Sequence, residues 1–239
     1  MARRAAGTPY HLGLTPDRIV AEALDLTGRG HLLGWSLREL ADRLGVTVSV
    51  ITHHVGSKDR LLRRVVEEAL AGLRPPPGDL PWDAWFREML LAIREPLRRY
   101  PGTAKWVLLH GPTFPAIMPM IDTGIAALQR AGFGDAVGLA FATLFNNAVM
   151  TLAVADERLA EEGDGPRDHG TALRELRAAG AGNSGIAVLD STLLRMFASG
   201  SGEAHETYYR FVVDTTIAGL TVLRDDPAQV RNTSGATSP

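Results

Sequence analysis

Between Ser36 and Leu62 the chain gathers its densest set of short polar and basic side chains: Thr47, Ser49, Thr52, His53 and His54, flanked by Arg38 and Lys58. Hydroxyls and imidazoles of this size exchange hydrogen bonds with base edges, and Val48 among them offers a methyl contact. Arginine and lysine beside such a row suit phosphate oxygens, which supply much of the affinity for a polyanion. His53 and His54 are not a metal pair, because neighbours on a helix point about 100° apart. Thr47 serves equally as a helix N-cap, Val50 and Ile51 as core, and either imidazole as a solvated side chain. Covalent chemistry has no comparable set. The chain has no cysteine, which excludes disulfides, thiolate metal sites and thiol nucleophiles. No Ser-His-Asp order, phosphate loop, HExxH or metal-ligand cluster occurs, so no catalytic residue, metal or cofactor is assigned.

The elements that carry this set read as helices. Ser36 and Glu39 form a capping box, and Leu37, Leu40, Ala41 and Leu44 follow at the spacing of one helix face. Gly45 ends that helix after two turns. Val46-Thr47 leads into a second short helix ending near Val55, and Ser57 caps a third with the stripe Leu61, Leu62, Val65, Val66, Ala69, Leu70 and Leu73. Thr15-Pro16 starts an earlier helix. Two short helices around a tight turn make a helix-turn-helix, whose second helix enters the DNA major groove.

The run SLRELADRLGVTVSVITHHVGSKDRLL resembles the DNA-binding segment of the TetR family of one-component transcription regulators. The match lies in Ser36, Arg38, Leu40, Ala41, Leu44, Gly45 and Val46, then His54, Val55, Lys58 and Asp59, and holds over residues 15–70. Two positions depart from the pattern. Thr52 stands where an aromatic is usual, losing a habitual phosphate or sugar contact, and Val55 stands for a Phe. The resemblance implies that His54 also touches the DNA backbone.

Beyond Pro75-Pro76-Pro77-Gly78, the sharpest punctuation in the chain, helices are expected at 82–97 (ended or kinked by Pro96), 104–109, 117–131, 136–160, 186–197 and 205–223. Residues 161–185 read as a mobile loop with a helical patch at 173–179. The segment from Trp82 and that opened by Ala131-Gly132-Phe133 resemble the effector region of the tetracycline-repressor type. This implies a cavity lined by Trp82, Phe86, Met89, Trp106, His110, Phe114, Met118, Phe141, Phe145 and Met150. The same rings at helical spacing would equally build a plain core. Asn146 and Asn147 interrupt an otherwise apolar helix, expected to be buried all round. A buried amide without a partner costs about 1–3 kcal/mol, so one of them should face a cavity, water or a second subunit.

Composition agrees with this organisation. Residues 1–64 carry ten Lys or Arg against six acids, while the rest of the 239-residue chain is acidic and the total is −2. A basic head on an acidic body presents one end to a polyanion. No uninterrupted run of about 18 apolar residues and no apolar leader is present, so a cytoplasmic protein without membrane contact is expected. The expectation is an all-α fold: a three-helix helix-turn-helix domain over 1–72, an effector-binding and dimerisation domain over 73–226, and a disordered tail over 227–239. Its partners would be a pseudo-palindromic DNA operator, a small apolar or amphipathic effector and a second copy of the chain. The rival is a small-molecule binding protein or enzyme of the same shape without operator binding.

Overall fold

Helix α1 (Pro16–Arg29) begins with Pro16 at its first position and the Thr15 hydroxyl accepting from Arg18 N at 3.2 Å, satisfying an N–H that the helix itself cannot. The computed structural model describes residues 13–161, 163–164, 168–198 and 202–225. No strand occurs among them, and the fold is all-α. The expected tail at 227–239 lies outside the described residues.

Helix α2 (Leu37–Leu44) is capped by Ser36, whose hydroxyl accepts from Glu39 N at 3.1 Å. Gly45 stops it in a left-handed conformation, φ 66°, which a side chain would disfavour. Val46 N then bonds Ala41 O at 3.0 Å, closing the tight turn into α3 (Val48–Val55). Thr47 is extended but its side chain makes no capping bond. Ser57 caps α4 (Lys58–Leu70) through Arg60 N at 3.3 Å. Ile19, Leu40, Ile51, Leu61 and Val65 meet in the centre of these four helices and are each fully buried.

Helix α5 (Trp82–Arg99) runs on through Pro96. A proline in the last turn removes one N–H bond, too little to end the helix at that point. Helices α6 (Thr103–His110) and α7 (Met118–Arg130) follow, the latter entered by a tight turn over Pro115–Ile117. The long helix α8 (Val137–Ala160) has no side-chain cap and is entered by the tight turn Gly134–Ala136. Part of the expected loop is helical. Asp168 caps α9 (His169–Ala179) through Gly170 N at 2.8 Å, then α10 (Ser184–Leu189), a wide turn over Asp190–Leu194, and α11 (Arg195–Ala198) lead to α12 (Gly202–Asp225).

Helix α8 packs against α5, α6, α7 and α12, and Trp85, Phe86, Leu90, Leu144 and Val149 fill the space between. The Tyr209 hydroxyl donates to Leu90 O at 2.5 Å, tying α12 to α5. By length and composition Gly134–Ala160 is apolar enough to span a membrane, although no unbroken apolar run was expected. Its outer face corrects a second expectation, since the helix is not buried all round. Leu139 is 58% exposed and Met150 52%, and on α12 Phe211 and Val222 are each 63% exposed. The two helices cover one another's inner sides, which leaves apolar side chains on the outside, interspersed with Thr143, Asn146 and Thr215.

Candidate functional site

Helix α3 turns Ile51 and Val55 into the core, which forces the residues between them outward. Thr47, Val48, Ser49 and His53 are exposed, and Val50, Thr52 and His54 half-buried. Without a capping duty the Thr47 side chain is free to reach outward. The Thr52 hydroxyl donates to Ser49 O at 3.1 Å, so only its oxygen remains to accept. His53 and His54 meet edge to face at 5.7 Å between ring centres. Arg38 is exposed at the start of α2. Lys58 is less free than its sequence position implies: Nζ donates to Trp35 O at 2.6 Å and lies 5.0 Å over the Trp35 ring. Its ammonium keeps two further donors for an outside group.

Trp35 is a residue the sequence reasoning missed. Its indole N–H donates to Thr27 Oγ1 at 3.0 Å, and that hydroxyl donates to Ala23 O at 2.8 Å. With Lys58 the chain of bonds ties α1, the start of α2 and α4 together. An apolar residue just before a helix N-cap, with Leu40 four places into the helix, is the pattern of a hydrophobic staple, and that signal could have found it.

Helix α4 packs on α5 and α6, and among the described residues hydrogen bonds join the four N-terminal helices to the rest at two places. At one, Arg63 on α4 donates to Thr113 O at 3.0 Å in the turn after α6. The other joins the α1–α2 loop to the α5–α6 turn and the end of α8. There Leu32 N bonds Pro101 O at 2.8 Å, and Gly102 N bonds the buried Asp156 Oδ2 at 3.1 Å. Gly102 has φ 87°, and a Cβ on it would sit 2.5 Å from the His31 ring. Leu33 N donates to His31 Nδ1 at 3.2 Å, so the ring proton belongs on Nε2. That atom lies 3.3 Å from Glu157 Oε1 without forming an aligned hydrogen bond, while Glu157 Oε2 accepts from Lys105 at 2.9 Å. Burial pushes the Asp156 carboxyl up to about 7, the Gly102 N–H pulling the other way. Partial burial pushes the Glu157 carboxyl up, but the hydrogen bond and charge of Lys105, with the nearby His31 ring, outweigh it and hold it below its usual range.

The expected effector residues pack mostly against each other. Trp82 meets Phe133 at 4.9 Å, Phe86 meets Trp85 at 4.9 Å and Phe141 at 5.9 Å, and Met89 and Phe145 are buried among them. Trp106 stacks between His110 at 4.5 Å and the buried Phe114 at 5.6 Å. His110 Nδ1 lies 2.9 Å from Trp106 O, one turn back on the same helix. Met118 is 41% exposed. Asn146 is exposed on the outer stripe of α8 rather than buried, and Asn147 donates to Thr216 Oγ1 on α12 at 3.2 Å. A cavity of about 560 Å³ lies elsewhere, between the ends of α5 and α8 and the helices α9, α11 and α12; of the expected set Met150 alone borders it. At these distances the rings are in mutual contact, the packing expected of a close-set aromatic cluster.

No family model matches the chain. It is 31% identical over 147 residues to an HTH-type transcriptional regulator of Saccharopolyspora erythraea, a match covering 60% of this chain and 61% of that protein, under two thirds of its length. It is also 31% identical over 172 residues to the class A tetracycline repressor of transposon 1721 from Escherichia coli, covering 64% of this chain and 72% of the repressor. Among solved structures, the TetR family protein ActR of Streptomyces coelicolor in complex with actinorhodin superposes with a TM-score of 0.65 at 20% identity, over 87% of this chain and 97% of ActR.

Proposed function

The chain belongs to the TetR family of transcriptional regulators, and from that premise we propose that it is a ligand-responsive repressor. It would bind a pseudo-palindromic operator as a dimer and be released by a small amphipathic effector. The observation that carries the reading is α3, a short helix held from behind by Ile51 and Val55 that turns Thr47, Val48, Ser49 and His53 outward. Thr47, Ser49, Thr52 and His53 would read base edges, Val48 a thymine methyl, and Arg38, His54 and Lys58 the phosphates. The division into a DNA-binding part over 1–72 and an effector and dimerisation part over 73–226 follows the same roles.

Release needs both parts to share a conformation. The Arg63–Thr113 contact and the junction of His31, Gly102 and Asp156 support the coupling. An effector that favours one arrangement of α6 and α8 biases the setting of α3 by its differential affinity. The related protein ActR is known in complex with actinorhodin, which supports a small-molecule effector here. A reading as a binding protein or enzyme without operator contact makes a different prediction in a mobility-shift titration of the DNA upstream of its own gene. A salt-dependent, sequence-specific shift at nanomolar protein is expected; binding no tighter than to unrelated DNA would sink the repressor reading. A cytoplasmic location is the one in which the proposed operator is met.

A further inference from the structure

The cavity at the ends of α5 and α8 lies apart from the aromatic core and shares Asp156 with the junction at Gly102. We propose that it binds an amphipathic organic anion, an apolar body bearing one carboxylate-like group; its use as the effector seat rests on the ligand-responsive reading above. Its volume of about 560 Å³ falls in the range of small-molecule pockets, about 300–1,000 Å³. The walls are apolar, built by Leu152, Leu173, Leu194 and Phe197.

The polar lining is one-sided. Arg94, Arg98, Arg158, His169 and His205 border the cavity against a single carboxyl, Asp156. Arg94 Nη1 holds Glu206 at 2.6 Å, but its Nε is buried with no hydrogen-bond partner. Arg98 is drawn to Glu95 at 3.1 Å. Arg158 is half-buried and makes no ion pair or hydrogen bond among the described residues. His169 is held below its ordinary value by burial and then by the charge of Arg158, with Asp168 opposing. Asp156 is raised to about 7, so near neutral pH it offers only part of a counter-charge and can donate as an acid. A cation would therefore meet the unpaired Arg158 guanidinium in a lining whose single carboxyl is Asp156. A neutral ligand would leave the buried Arg94 Nε unmet, a costly state, and the Arg158 charge without a counter-ion. An anion satisfies both, and the guanidinium fork suits two parallel bonds to a carboxylate or sulfonate.

The test uses two probes of one skeleton, the anion 8-anilino-1-naphthalenesulfonate and its neutral parent N-phenyl-1-naphthylamine, titrated by fluorescence against the full chain. The anion is expected to bind at least about tenfold more tightly than the neutral parent. Arg158→Gln should weaken the anion by about tenfold while moving the neutral probe less than about twofold, and Arg158→Lys should retain most of the preference. Leu173→Trp, which fills the cavity, should weaken both probes. That variant separates the cavity from the exposed stripe of α8 and α12, where adventitious dye would be unaffected. Equal affinity for the two probes, or anion binding indifferent to both Arg158→Gln and Leu173→Trp, overturns the proposal. Operator binding measured in parallel keeps the two readings apart: lost DNA binding with charge-selective dye binding removes the repressor and leaves the site, whereas intact DNA binding without charge selection removes the site alone.

Discussion

At the scale of single residues, Arg38 and Lys58 look alike in sequence and differ in surroundings. Arg38 is exposed, so Arg38→Ala should weaken all operators about equally. It should also reduce the slope of log affinity against log salt by slightly under one unit, with the melting temperature unchanged. Lys58 also bonds Trp35 O, and Lys58→Ala should show the same loss of slope together with about 1 kcal/mol of stability. A changed base preference with an unaltered slope, in either variant, would mean that the residue reads bases instead. Asp156 makes a different prediction. Its carboxyl is raised from 3.8 to about 7, so between those values the folded chain holds a proton that the unfolded chain has released. This contribution is complete below the unfolded value and is lost as pH rises through about 7. Asp156→Asn does not titrate and keeps an oxygen for Gly102 N. Relative to their difference below pH 3.8, the variant should gain steadily on the wild type as pH rises from 3.8 to about 7 and should hold that gain above it. A difference constant across that range would refute the assignment. Glu157, His31 and Lys105 are present in both proteins and cancel.

At the scale of elements, the turn between α5 and α6 does more than connect. It presents Pro101 O to Leu32, Gly102 N to Asp156, and the open side of Gly102 to the His31 ring. A Cβ at Gly102 would have to occupy the position of that ring and would also be strained at φ 87°. Gly102→Ala is therefore expected to cost about 1–3 kcal/mol in urea unfolding. It should weaken operator binding as well, because the α1–α2 loop must move away from the α8 end. Unfolding and DNA affinity both within error of wild type would show that the His31 seat is not needed. Helix α3 illustrates the opposite economy: eight residues are too short to be stable alone, and their helix persists because Ile51 and Val55 are buried by α1, α2 and α4.

At the scale of the whole molecule, the exposed stripes of α8 and α12 form a face with no partner inside the protomer. Leu139, Met150, Phe211 and Val222 lie on it, and Gly138 and Gly219 open onto empty space. Apolar faces of this extent mark association surfaces, and two copies would set their recognition helices into successive major grooves about 34 Å apart. Because a Cβ at Gly219 meets nothing within 4 Å, Gly219→Leu should leave the protomer folded. It should split the proposed dimer, as read by sedimentation at micromolar protein alongside an unchanged circular dichroism spectrum. A wild-type monomer, or an undisturbed dimer in the variant, places the contact elsewhere. Asn146 belongs to this surface by its exposure, so Asn146→Leu should alter dimer dissociation and leave the effector response alone.

The sequence by itself determined the helices of the N-terminal region, their caps at Thr15, Ser36 and Ser57, and the turn at Gly45, because each rests on groups a few residues apart. The outward row on α3 was legible for the same reason: once Ile51 and Val55 are core, periodicity assigns the rest. Other features were not written locally. Whether the rings from Trp82 to Phe145 enclose a void or close upon each other depends on how four helix faces meet, and periodicity is identical in both cases. The exposure of Asn146 follows from α8 and α12 shielding only one side of each other. Lys58 is engaged by a carbonyl 23 positions earlier. The basic cavity gathers Arg94, Arg158 and His205 from three helices far apart in the chain. Such features are decided by tertiary packing, because a shared cavity and its electrostatic field arise only when distant segments are brought to the same place.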